Sequence, residues 1–346
     1  MKRALLSLLL IAGAGMVVLS ALHLAGAAAQ PGTPLEIKSP LGLPPVPIPA
    51  DNPMTVEKVE LGKMLFFEKR LSKDKDISCA TCHLPKHGYA EEEEVSTGHK
   101  GQKGNRNANP VINSQYATSL FWDGRAKSLE EQAGGPVENP IEMAHDMNAV
   151  TKELGGIPEY QKRFMAVFGE GPTKDNITKA IAAFERTLLE GHSPFDKFQA
   201  GDAKAISEDA QKGWELFNQK LCSTCHTPPV FSNWGFYNAG VGTDKKEPDL
   251  GRMVVTKLES DKGAFRVPSL RGVEQTGPYF HDGSAETLEE AVKFMAGGGK
   301  DNPNLHPLFQ ALKAQKTTEK EILQLVAFLK SLTGEYPVVE EPKLPE

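Results

Sequence analysis

The 346-residue sequence is short of several things, and each shortage excludes a class of protein. Aromatic residues make up only 7%. No stretch beyond the first thirty residues is apolar over the roughly 20 positions a membrane-spanning helix needs, so a multi-span membrane protein is excluded. The net charge is −6 and basic residues are scattered, so there is no electrostatic footprint for nucleic acid. Alternating strand-type patterns are scarce. Cysteine is limited to four residues, and those four organise the rest of the reading.

What is present begins with an address. Lys2 and Arg3 precede an uncharged apolar run from Ala4 to Leu22, and small residues Ala27, Ala28 and Ala29 follow before Gln30. This is the order of a secretory signal with cleavage after Ala29, and it predicts export to the periplasm. An uncleaved single-span anchor is the alternative reading of the same run. With residues 1–29 removed, Lys2 and Arg3 are lost and the net charge becomes −8.

The cysteines fall in two five-residue units, Cys79-Ala80-Thr81-Cys82-His83 and Cys222-Ser223-Thr224-Cys225-His226, offset by 143 positions. A second echo relates Phe121-Trp122-Asp123-Gly124 to Phe280-His281-Asp282-Gly283 at an offset of 159. Each echo is followed by a helix-start signature, Ser128 with Glu131 and Thr287 with Glu290. Helical periodicity runs through Val56, Val59, Lys63 and Phe67, through Ile177, Ile181, Phe184 and Leu188 up to Gly191, and through Ile322, Leu325, Val326 and Leu329 up to Gly334. These features predict a mainly α fold: two cytochrome c-like haem domains with long loops, related by internal duplication. The first domain is expected over residues 30–195 and the second over 196–346, with the last helix free to pack on either.

In an exported chain four cysteines can form two disulfides, and paired Cys-x-x-Cys units can also hold zinc or cycle as dithiols. The adjacent histidine selects among these. Two thiols bond covalently to the vinyl groups of one haem while the neighbouring imidazole reaches the iron from the same face. Two such units predict two covalently bound haem c groups, with Cys79, Cys82, Cys222 and Cys225 as attachment points and His83 and His226 as proximal ligands. Met295 ends the helix opened by Thr287 and precedes three glycines. It reads either as the sixth ligand of the second haem or as a core gap-filler. Its counterpart 159 positions earlier is Pro136, which cannot ligate, so the first iron is expected to have an open or exchangeable place. His99, on a glycine-flanked segment, reads as a reversible cap for that iron or as an exposed loop histidine. Glu142 is a candidate distal acid–base for cleaving a peroxide bond.

Assembled, these residues resemble the bacterial di-haem cytochrome c peroxidase family, to which the tryptophan-modifying enzyme MauG is related. The resemblance spans most of residues 45–335. It rests on the two haem units, Thr97-Gly98-His99, Leu120-Phe121-Trp122-Asp123-Gly124-Arg125, Gln132-Ala133-Gly134-Gly135-Pro136, Glu142-Met143 and Thr276-Gly277-Pro278-Tyr279. It implies that the first haem binds hydrogen peroxide and the second is the electron entry, with Met295 as its distal ligand. Where the MauG type carries tyrosine, Met295 favours peroxidase chemistry. The resemblance further gives His99 as the reversible block, Gln132 and Glu142 as the distal pair, and Trp122 as the residue between the haems. It also implies a calcium ion held by Asn107, Thr276 and Pro278, a donor set that needs several waters. A small c-type cytochrome or cupredoxin is the expected donor, and a homodimer is common in the family. A di-haem electron relay and a MauG-like oxidase are the alternative functions.

Other residues carry plainer expectations. Arg106 and Arg266 are either propionate partners or surface charges. His281 is a buried structural or propionate-contacting histidine. The acidic run Glu91–Glu94 is a solvated face. His87, His145, His192 and His306 have no assigned role.

Overall fold

The computed structural model describes residues 32–346, so the signal segment lies outside the described residues. Among these residues strand structure amounts to Phe236–Tyr237 paired antiparallel with Phe265–Arg266, and the rest of the regular structure is helical. The mainly α class is therefore observed. No described helix is long and apolar enough to cross a membrane.

Two hydrophobic cores form, one in each half. In the first, helix Val56–Phe66 crosses helix Lys174–Glu185 and buries Leu61, Leu65, Phe66, Ile177 and Ile181. In the second, helix Glu208–Gln219 crosses Glu319–Lys330 and buries Phe217, Leu325, Phe328 and Leu329. Both crossings depend on one glycine. A Cβ on Gly62 would lie 1.8 Å from the Ala180 carbonyl oxygen, and one on Gly213 would lie 1.9 Å from that of Gln324. Close backbone approach at these points leaves no room for a side chain.

The helices start where short polar side chains satisfy free backbone N–H groups. Thr55, Thr173, Ser207, Thr287 and Thr318 each accept a hydrogen bond from the first turn of the adjoining helix. At Ser128 the cap is partial: its hydroxyl accepts from Glu131, while the Glu131 carboxylate turns to the Lys127 N–H. The second periodic stretch stops at Glu185, earlier than the Gly191 expected from sequence, because the chain leaves the helix through a run of single turns at Arg186–Leu189.

The last helix packs in the second half, against Glu208–Gln219 and Leu288–Ala296. The C-terminal tail beyond it crosses to the first half. Tyr336, Val339 and Leu344 pack on the first core. The opposite end crosses as well: the Gly42 carbonyl accepts from Arg271 in the second half, while the adjacent Leu41 carbonyl accepts from the His192 N–H within the first.

Candidate active site

Each Cys-x-x-Cys occupies a single helical turn, Cys79–Cys82 and Cys222–Cys225. Residues three apart on a helix share a face, so both sulfurs of a pair project to one side. Among the described residues no disulfide joins any of the four cysteines. Burial pushes the Cys82 and Cys222 thiols up to about 11. His83 Nδ1 lies 3.2 Å from the Tyr89 carbonyl oxygen, and His226 Nδ1 lies 3.1 Å from that of Phe231. A carbonyl at Nδ1 makes that nitrogen the donor and leaves the Nε2 lone pair for a metal. Burial draws both imidazoles down to about 4, so both are neutral, as a ligand must be.

Each unit opens onto its own cavity. The first, about 600 Å³, is walled by Cys79, Cys82, His83, Gln132, Pro136 and Glu142. The second, about 230 Å³, is walled by Cys222, Cys225, His226 and Met295 among mainly apolar side chains. Met295 thus faces the same space as His226, whereas its counterpart in the first cavity is Pro136. The cavities share a wall made by Trp122, Arg266 and Pro268. Trp122 is buried and its indole N–H donates to the Asn107 carbonyl at 2.9 Å.

The residues fit haem. Arg266 is a buried guanidinium whose hydrogen bonds go to the Phe121 carbonyl and the Asn109 side chain, with no carboxylate. Burial lowers its pKa to about 10. A buried cation without an anion is expensive, and a haem propionate would supply the missing charge. Arg106 is different: it is held by Asp123 at 2.8 Å and by Asp249 at 2.7 Å, so it is neither a surface charge nor a free propionate partner. His281 is buried and stacked on Phe265, with ring centroids 3.5 Å apart.

Glu142 accepts from the Asn139 amide at 2.7 Å, and burial raises its carboxyl above the usual range. Gln132 lies one turn from the start of helix Leu129–Glu138, on the same cavity wall. His99 does not line the cavity in this conformation. Its ring turns to Asp74, with Nδ1 3.3 Å from Oδ2, and its backbone N–H is held by the Ile141 and Glu142 carbonyls. The segment that bears it is therefore tied to the backbone of Ile141 and Glu142 while its imidazole points elsewhere.

Two expectations are corrected. Glu91 is not part of a solvated face: it is buried and accepts from Ser96 and from the Ala108 N–H. His87 does have a structural place, with Nε2 2.8 Å from the Gly277 carbonyl in the other half. Asn107 lies near this junction, its N–H donating to the His281 carbonyl. Among the described residues no cluster of three acidic, histidine or cysteine side chains forms a metal site. Sequence reasoning also missed Asp249 and Glu185, both on the wall of the first cavity. Neither sits in a motif, and only the tertiary fold brings them there.

A helical chain with two haem-attachment turns and adjoining cavities defines a di-haem cytochrome. The family described as Di-haem cytochrome c peroxidase matches residues 56–204, and the Cytochrome c family matches residues 210–333. The cytochrome c551 peroxidase of Nitrosomonas europaea is 43% identical over 302 residues, covering 86% of each chain. MauG of Methylorubrum extorquens is 39% identical, over 87% of this chain and 85% of that one. A crystal structure of a MauG-like protein associated with microbial copper homeostasis superposes with a TM-score of 0.77 at 31% identity, covering 88% of this chain and 98% of that one. The chain belongs to the di-haem cytochrome c peroxidase family and is an oxidoreductase of the peroxidase type.

Proposed function

We propose that this protein reduces hydrogen peroxide to water in the periplasm, using electrons delivered singly by a small c-type cytochrome or cupredoxin. The observation that carries the reading is the asymmetry of two adjoining cavities: Met295 faces His226 in one, while Glu142, Gln132 and Pro136 face His83 in the other. The two haem groups, when bound, supply one-electron chemistry and an iron at which peroxide is reduced. Cys79, Cys82, Cys222 and Cys225 would anchor them, His83 and His226 would ligate them, and Met295, which lines the second cavity, would be a further ligand of the second.

The protein's own work is positioning and proton transfer. Glu142 takes the proton from the inner oxygen of peroxide and returns it to the outer one, and its buried setting keeps its affinity for protons high enough to do both. Gln132 orients the oxygens by hydrogen bonding. Trp122, on the wall common to both cavities, bridges the electron path. His99 would be the exchangeable cap of the first iron, carried on a segment whose ring pairs here with Asp74. Calcium at Asn107, Thr276 and Pro278 rests on the family resemblance, as does a homodimer. The matching glycine crossings at Gly62 and Gly213 and the matching His–carbonyl bonds support internal duplication of one haem unit. The test is steady-state peroxide consumption with a reduced small cytochrome. Turnover that requires Glu142 supports the reading; full turnover in Glu142→Gln contradicts it.

A further inference from the structure

The proximal histidine of the first half depends on a residue that the far end of the chain holds. Tyr89 is fully buried and has φ of +53°, a left-handed conformation that side chains rarely adopt. Its carbonyl accepts from His83 Nδ1 and from the Val111 N–H. Its hydroxyl donates to the Pro337 carbonyl at 2.9 Å and accepts from the Val339 N–H at 3.2 Å. The neighbouring Gly88 N–H donates to the Tyr336 hydroxyl, and the Tyr336 ring meets the Tyr89 ring edge to face. Further along, the Pro345 carbonyl accepts from Arg70. These partners leave from the end of helix Glu319–Lys330, which is packed in the second half.

The second half provides the contrast. Phe231 has the same left-handed backbone, φ +54°, and its carbonyl holds His226 in the same way. It has no hydroxyl, and nothing equivalent to the tail ties it down. The two proximal histidines are thus built alike, and only one is fastened to a segment arriving from the other domain.

We propose that residues 336–345 form a positioning strap which, through the Tyr89 hydroxyl, fixes the carbonyl that orients His83. Tyr89 is a positioning residue: it acts through His83 rather than on the substrate. A carbonyl held firmly at Nδ1 makes the imidazole a stronger donor to iron and lowers that haem's potential. Releasing the strap weakens this hydrogen bond in the first half alone. The inference rests on His83 being the proximal ligand of the first haem.

The test uses the full-length, haem-loaded protein beside three variants: Tyr89→Phe, Val339→Pro, and a chain ending at Glu335. Resonance Raman spectroscopy reads the iron–histidine stretch of the reduced first haem, and spectroelectrochemistry reads both potentials. The strap predicts a lowered stretching frequency and a raised potential for the first haem, with the second unchanged. Variants that melt earlier but leave the first haem's stretch and potential in place overturn it. Equal shifts at both haems also overturn it, since they report general loosening. If the shortened chain fails to retain haem, Tyr89→Phe, which keeps the ring and removes only the hydroxyl, decides the matter. Unchanged spectra of the first haem in His83→Gly would instead remove His83 as ligand.

Discussion

The backbone N–H of Arg266 donates to the carbonyl of Trp122 at 2.8 Å. This bond joins the short strand Phe265–Arg266 of the second half to the aromatic turn of the first, at the wall both cavities share. The Trp122 indole is fixed from the other side by Asn107, and the Arg106 pair with Asp123 and Asp249 clamps the next residue. The turn is over-determined on the wall that both cavities share. Replacing Trp122 with Phe removes one buried hydrogen bond, worth about 1 kcal/mol. The expected outcome is a small loss of stability together with slowing of electron transfer between the haems, by on the order of tenfold or more, a change that corresponds to ~1.4 kcal/mol in barrier. Flash reduction of the second haem, followed at the first, measures it.

Arg266 is a buried cation with only neutral hydrogen-bond partners, and the proposed counter-charge is a haem propionate. Arg266→Gln is expected to lower the reduction potential of the adjacent haem, because removing a positive charge favours the oxidised, more positive iron. It should also destabilise the holoprotein by about 3 kcal/mol, within the range for unpairing a buried ion. Redox titration and thermal melting of holoprotein check the two parts separately.

For Glu142→Gln the expectation is a fall in peroxide turnover by roughly 10² or more, the usual contribution of a positioned acid–base. The sign of the pH dependence comes from the raised carboxyl of Glu142. Turnover needs the ionised form to accept the first proton, so activity falls as pH drops through that raised value. The acid limb should lie above the ordinary glutamate range and vanish in the glutamine variant. A pH–rate profile of both proteins measures this.

Glu185 is a buried carboxyl raised to about 8 by desolvation, and one of its oxygens has no hydrogen-bond partner. The folded state holds its proton more tightly than the unfolded chain does. Its contribution is therefore fully present below the ordinary glutamate value and is lost as pH rises towards about 8. Glu185→Gln should flatten this slope and raise the melting temperature most at pH 8 and above. About 2–4 °C per kcal/mol is the expected scale. Melting curves over this pH interval provide the check.

At Gly62 and Gly213 an added methyl meets a helix carbonyl at 1.8 and 1.9 Å. Gly62→Ala and Gly213→Ala should each force apart one helix crossing, at a cost of roughly 1–3 kcal/mol. Each should destabilise its own half, visible as earlier loss of one haem's spectrum on heating.

Much of this was legible in the sequence because the chemistry requires contiguous residues. Cys79 to His83 and Cys222 to His226 have to be neighbours to serve one haem each, so their roles read directly. Ser128 and Thr287 announce their helices for the same local reason. Met295 was legible only as a choice between ligand and filler, and the cavity it shares with His226 narrows that choice. Arg106, Arg266 and Glu91 were not legible, since whether a charge is buried depends on how distant parts of the chain meet. Asp249 reaches Arg106 across 143 positions, and no local pattern carries that information. The docking of the tail from Tyr336 was not legible for a similar cause: its composition shows no helix or strand, and its partner Tyr89 lies 248 positions upstream of Pro337.

Electron paramagnetic resonance of the half-reduced holoprotein, with the second haem reduced and the first oxidised, tests the proposed inequality of the two centres most directly. A high-spin ferric signal from the His83 haem, lost on adding stoichiometric peroxide, is the predicted result. A low-spin His83 haem that keeps two protein ligands in that state and ignores peroxide would contradict it.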